Sequence, residues 1–229
     1  LGVKIRQIYD LRSSTYTYLL YRKGGGCAVV IDPTEEGVPL VLLTAREIGV
    51  TISISLETHT HADHVTGAYR LREETGCRIL VSREAGLACA SGFFADGEGI
   101  EEDGLRLTAI HTPGHTDDSY CFLGPGCVFT GDTLLIRGSG RTDFQNGDAR
   151  TAYRSIVTKL LVLDDETVVY PGHDYRGMTS STVGEERRHN PRLQVRDAEE
   201  YAALMSALRL PPPQKIEEAL ERNRRCGAP

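Results

Sequence analysis

Thr51-Ile52-Ser53-Ile54-Ser55-Leu56-Glu57-Thr58-His59-Thr60-His61-Ala62-Asp63-His64-Val65-Thr66-Gly67 decides how this chain is read. The first six residues alternate polar and apolar with a period of two, the mark of a strand with one buried face. Ala68 to Thr75 follows as a helix closed by Gly76. Three imidazoles and one carboxylate therefore sit at the mouth of a strand-to-helix loop, where a rigid scaffold can aim several side chains at one point. An isolated histidine is usually structural, but His59, His61 and His64 crowded beside Asp63 read as half of a metal site.

Working outward, three more short motifs carry ligand-type residues. Leu105 to Ile110 alternates as a strand and leads into Thr112-Pro113-Gly114-His115-Thr116. A hairpin, 119–123 and 127–130 across Gly124-Pro125-Gly126, leads to Asp132, and a strand at 167–170 leads to Pro171-Gly172-His173-Asp174. His59, His115, Asp132 and His173 each lie just past the carboxyl end of a predicted strand, so one edge of the sheets is expected to gather them. Strands are also expected at 3–9, 15–22, 27–31 and 78–82, and helices at 39–48, 84–90, 149–161, about 197–208 and about 214–222. Gly24-Gly25-Gly26 lacks the GxxxxGK[ST] context of a phosphate loop and reads as a hairpin turn. Pro211-Pro212-Pro213 separates the last two helices. The order of elements suits two sheets packed face to face with helices outside, not a doubly wound parallel sheet. The expectation is one domain, 1–229, with a helical C-terminal extension from about 185.

Composition narrows the function classes. The chain has 40% hydrophobic and 25% charged residues and a formal net charge of -6, which suits a soluble globular protein and argues against a nucleic-acid partner. No run approaches the ~18 apolar residues of a membrane span. Leu1 to Arg6 lacks the apolar stretch of a signal peptide, and the expected location is cytoplasmic. The six cysteines form no CxxC pair and read as free thiols, mostly small buried hydrophobes. Cys226, beside Arg224 and Arg225, reads as a reactive thiol or a tail residue.

Imidazole and carboxylate ligands without thiolate argue against a structural zinc site. Two histidines and one carboxylate on one metal would match the facial triad of non-haem iron(II) oxygenases. The same cluster could hold two zinc ions bridged by hydroxide, a hydrolytic site. Spacing leaves both open.

His59-Thr60-His61-Ala62-Asp63-His64 resembles the HxHxDH signature of the metallo-β-lactamase superfamily, and the motifs at His115, Asp132 and His173 follow in that family's order. Within it, the string Asp132 to Gln145 and the string Glu185 to Leu193 resemble the persulfide dioxygenases more than glyoxalase II. The resemblance implies an α+β fold, a four-layer αββα sandwich, and one Fe(II) per chain held by His59, His115 and Asp132. It implies that His61, Asp63, His64 and His173 orient ligands without binding a second metal. Arg141, Tyr175 and Arg192 match positions that hold glutathione, whose carboxylates suit bidentate arginine. Surface ion pairing is the plainer reading for Arg192. Cys226 matches a cysteine near the substrate. The implied reaction converts glutathione persulfide, dioxygen and water to glutathione and sulfite, in a homodimer. The rivals are a glyoxalase II-like two-metal hydrolase of acylglutathione thioesters and a metal-dependent sensor without catalysis.

Overall fold

The computed structural model describes residues 2–211 and 216–229. In chain order its first elements are β1 (Val3–Asp10), β2 (Thr15–Arg22), β3 (Gly26–Ile31), α1 (Val38–Ile48), β4 (Val50–Leu56), α2 (Ala68–Thr75), β5 (Arg78–Ser82) and β6 (Gly92–Phe94). There follow β7 (Gly99–Glu102), β8 (Leu105–His111), β9 (Tyr120–Gly124), β10 (Cys127–Gly131), α3 (Ala149–Ser155) and β11 (Val168–Pro171). The chain closes with β12 (Ser181–Thr182), α4 (Val183–His189), α5 (Ala198–Ala207) and α6 (Ile216–Asn223). Two compact units emerge, one within Leu1–Phe94, Gly99–Leu107 and Pro212–Pro229, the other within Ala95–Glu98 and Thr108–Pro211.

The sheet of the first unit runs β1-β2-β3-β4-β5-β6. Short turns allow β1, β2 and β3 to pair antiparallel, whereas β3, β4 and β5 pair parallel because α1 and α2 supply the crossovers. Val38, Val41 and Ala45 of α1 and Leu71 of α2 are buried in one cluster with Leu19, Val30 and Ile52 of the strands. Each large aliphatic side chain so buried contributes roughly 1.5–3 kcal/mol. Gly49 and Gly76, left-handed at φ 78° and 75°, end the two helices as their sequence positions imply. The loop of the three histidines is thus anchored at both ends by buried structure.

In the second unit the sheet order is β12-β11-β10-β9-β8, with β10 and β11 parallel and the remaining pairs antiparallel. Cys121, Val128, Leu134, Ile156, Leu160, Val169 and Val183 form its core. The helix expected over 149–161 is α3 followed by a π-helical turn, Ile156–Leu160.

The sequence reading fails in two places in the first unit. Residues 84–90 form turns, not a helix, and Gly86 with φ 59° breaks any helical path. Cys89 and Cys226, 137 positions apart, form a disulfide. Spacing could not reveal this pair, because the fold brings together a turn after β5 and the turn after α6. Cys27, Cys77, Cys121 and Cys127 lie outside any disulfide, as expected. Pro212 and Pro213, expected to punctuate the last two helices, lie outside the described residues.

Candidate active site

In the first unit the histidine loop joins β4 to α2, and His59, His61 and His64 are 5, 1 and 2% exposed. The rings of His59 and His61 lie 4.1 Å apart, those of His61 and His64 4.3 Å. Asp32, at the end of β3, anchors the loop by accepting from the Thr58 amide at 2.7 Å and from the Thr58 hydroxyl at 2.8 Å. That hydroxyl has one proton, so in its 3.0 Å contact with His59 Nδ1 the imidazole is the donor. The His59 tautomer is then fixed, leaving Nε2 as the lone-pair nitrogen, the form of imidazole that can ligate a metal.

His61 turns differently. Its Nε2 lies 3.2 Å from Asp32 Oδ1 and 3.4 Å from Glu57 Oε2, within ion-pair reach but off hydrogen-bond alignment. Burial, the largest single influence, lowers the His61 pKa, yet the two carboxylates together outweigh it and hold the value well above that of an ordinary imidazole. Burial raises the pKa of Glu57, with His61 opposing. Asp63 Oδ2 accepts from His64 Nδ1 at 3.0 Å. Asp32, Glu57 and His61, and separately His61, Asp63 and His64, each bring ligand atoms within 4.8 Å of one another.

In the second unit His115 and Asp132 face each other. His115 Nδ1 donates to the Arg141 carbonyl at 2.7 Å, leaving Nε2 as the lone-pair nitrogen. His173 Nδ1 donates to Asp132 Oδ1 at 2.7 Å. His115 Nε2 and Asp132 Oδ2 then lie 3.6 Å apart, two electron-pair donors directed at one place. With bonds of about 2.1 Å, as for zinc, two ligands subtending roughly 90–120° at an ion stand about 3.0–3.6 Å apart. The pair fits a metal. Close packing is possible because Gly140 and Gly172 lack side chains: a Cβ at Gly140 would meet His115 Nδ1 at 2.7 Å, and one at Gly172 would meet Asp132 Oδ1 at 2.7 Å.

The strings from Asp132 and from Glu185 are two halves of one polar lock. Glu186, fully buried, accepts from the Arg137 amide at 2.9 Å, Ser181 Oγ at 2.6 Å and Asn190 Nδ2 at 2.8 Å, and it pairs with the Arg137 guanidinium. Asn190 Nδ2 also donates to the Gly138 carbonyl at 2.9 Å. Arg192 donates to the Ser139 carbonyl and, at 3.2 Å, to Ser139 Oγ, which meets the Tyr201 hydroxyl at 2.7 Å. This lock shapes residues 137–141, whose last carbonyl holds His115. Sequence reasoning missed Asp32, Thr58, Glu186 and Asn190 as supports. A carboxylate or amide that is later buried carries no local pattern.

The substrate arginines differ from one another. Arg141 makes a bidentate pair with Asp143 at 2.7 and 2.8 Å, donates to the Pro211 carbonyl and stacks over Phe144 at 4.3 Å. Arg192 is largely buried, and burial lowers its pKa. Its contacts with Ser139 brace a loop and are not the ion pair of the plainer reading. Tyr175 is 72% exposed, parallel to the His173 ring at 6.0 Å. Cys226, in the disulfide, offers no thiol to a substrate unless the bridge opens.

The family model of the metallo-β-lactamase superfamily matches residues 11–173. Human "Persulfide dioxygenase ETHE1, mitochondrial" is 42% identical over 98% of this chain and 89% of its own length. This chain belongs to the persulfide dioxygenase family. The crystal structure of ETHE1 from Myxococcus xanthus is 44% identical, with a TM-score of 0.95 over 98% of this chain and 100% of that one. The persulfide dioxygenase fold is therefore the metallo-β-lactamase fold, of the α+β class expected, and the family makes this chain an oxidoreductase. The hydroxyacylglutathione hydrolase GloC of Haemophilus influenzae is 34% identical over 72% of this chain and 87% of its own length. No helix among the described residues is long and apolar enough to cross a membrane.

Proposed function

We propose that this chain is an iron(II)-dependent persulfide dioxygenase converting glutathione persulfide, dioxygen and water to glutathione and sulfite. One iron per chain would be held by His59, His115 and Asp132, with residues 1–229 acting as a single domain. The observation that carries the reading is the facing of His115 Nε2 and Asp132 Oδ2, each made an electron-pair donor by the hydrogen bond on its other atom. His59, prepared in the same way by Thr58 and Asp32, is the second imidazole that the proposed set would require. When bound, iron(II) supplies open positions and redox capacity for dioxygen and a persulfide sulfur.

This chain's own groups orient and bind. The Arg141 carbonyl and the Thr58 hydroxyl fix the imidazole tautomers, and His173 holds Asp132 so that Oδ2 points at His115. His61, Asp63 and His64 support the loop by their mutual contacts. Arg141 presents an aligned carboxylate site, filled by Asp143, which an anionic glutathione end would take over by exchange. Tyr175, exposed beside His173, would flank the substrate, with Arg192 bracing the loop beneath.

A second reading, a two-metal thioester hydrolase, is favoured by the His61, Asp63 and His64 group and by the likeness to GloC. Metal analysis of protein expressed in iron-containing medium separates the two. The dioxygenase reading expects about one iron per chain, lost in His59→Ala, His115→Ala and Asp132→Ala and better retained in His61→Ala. Two metals per chain, or equal loss in all four variants, would favour the hydrolase.

A further inference from the structure

The turn that follows α6 reaches back to the histidine loop. Asn223, 3% exposed, accepts from the Thr66 amide at 2.9 Å and donates from Nδ2 to the carbonyls of His61 and His64, each at 2.8 Å. One side chain thus ties three backbone groups of the segment 61–66. Around it, Arg222 pairs with Glu35 at 2.9 and 2.5 Å, and the Tyr69 amide donates to the Cys226 carbonyl at 2.9 Å. Gly227, with φ 87°, lies so close that a Cβ there would meet the Thr66 carbonyl at 2.2 Å. The Cys89–Cys226 disulfide then fastens this turn to the segment after β5, in a cluster with Ala68, Ile79 and Val81.

We infer that the C-terminal turn is a clasp on the histidine loop, with Asn223 as its positioning residue and the Cys89–Cys226 disulfide as a fastener that low-molecular-weight thiols can open. This goes beyond the proposed reaction and holds whichever metal is bound. Hydrogen bonds to the backbone of a ligand loop act on the metal as outer partners do, typically about 10–100-fold in affinity. Cys226 is buried and Cys89 is partly exposed, so a thiolate attacks the Cys89 sulfur and Cys226 leaves as the thiolate. A second thiol attacks the mixed disulfide, frees Cys89 and leaves as half of a small disulfide. Two electrons and two protons pass from the two thiols to the protein. With the bridge open, the turn keeps Asn223 in place only through the remaining hydrogen bonds, and the loop gains mobility.

The test uses the full chain, oxidised and after dithiothreitol, with the variants Cys89→Ser and Asn223→Ala. Exchange of the Thr66 amide is followed in metal-free protein by hydrogen–deuterium exchange. Co(II) affinity and its ligand-field spectrum are measured in the same samples. The clasp predicts that reduction speeds Thr66 exchange about tenfold, weakens Co(II) binding about tenfold and shifts its bands. Cys89→Ser should match reduced wild type in either state. Asn223→Ala should bind more weakly still and lose the redox dependence. Equal Thr66 exchange in oxidised wild type, reduced wild type and Cys89→Ser overturns the fastener, and wild-type Co(II) affinity and spectrum in Asn223→Ala overturn the positioning role. If Asn223→Ala does not fold, the comparison of oxidised wild type with reduced wild type and Cys89→Ser decides alone. Failure of wild type to bind Co(II) at all would count against the proposed ligand set, while Thr66 exchange still judges the clasp.

Discussion

Replacing Glu186 by alanine tests whether the polar lock under residues 137–141 is structural at its centre. The carboxylate is fully buried and serves the Arg137 amide and guanidinium, Ser181 Oγ and Asn190 Nδ2. Its removal leaves a guanidinium, two N–H donors and the Ser181 hydroxyl facing a cavity. Breaking one partner of a buried pair in this way costs about 3–5 kcal/mol, and for a chain of this size each kcal/mol moves Tm by roughly 2–4 °C. The expected drop is therefore on the order of 10 °C in a thermal melt followed by circular dichroism. Glu186→Gln keeps the volume and one acceptor oxygen, so its loss should be about half as large. A fall of less than ~2 °C for the alanine variant would refute the reasoning, because it would mean the donors find water or other partners at no cost.

The other expectations concern residues that hold ligands or substrate. Thr58→Val removes the hydroxyl between Asp32 and His59 while keeping the shape, and should weaken iron(II) binding about 10–100-fold in a chelator competition; unchanged affinity would mean the His59 tautomer does not depend on Thr58. Arg141→Ala should raise KM for glutathione persulfide with iron content unchanged, as a binding contact does. Arg192→Ala should lower Tm as well, since it leaves the Ser139 carbonyl without its guanidinium donor, and a KM effect with unaltered Tm would return Arg192 to a purely substrate-binding role.

Much of this is legible in the sequence alone. The alternation of Thr51 to Leu56, the stops at Gly49 and Gly76, and the hairpin at Pro125-Gly126 are local signals, and the structure follows them. What escaped depends on partners far apart in sequence. The pair β11 and β12 meets only at Val168 with Thr182 and Val169 with Ser181, too short to show a period. Glu185, Glu186 and His189 matched a family string, but nothing local said that Glu186 would be buried or that Asn190 would reach Gly138. The disulfide failed for the same reason, since a separation of 137 residues leaves no spacing pattern. Residues 84–90, expected as a short helix, are turns because Gly86 takes a positive φ in their middle. At the candidate site, the ligand-type residues were readable from their strand ends, and the hydrogen bonds that set their tautomers were not.

Oxygen uptake on glutathione persulfide tests the central claim most directly. Protein carrying about one iron per chain, placed in an oxygen electrode with that substrate, should consume dioxygen and accumulate sulfite in equal amounts, and a chelator that strips the iron should stop both. Rapid hydrolysis of an acylglutathione thioester by the same iron-loaded preparation, with no oxygen consumed on the persulfide, would contradict the account.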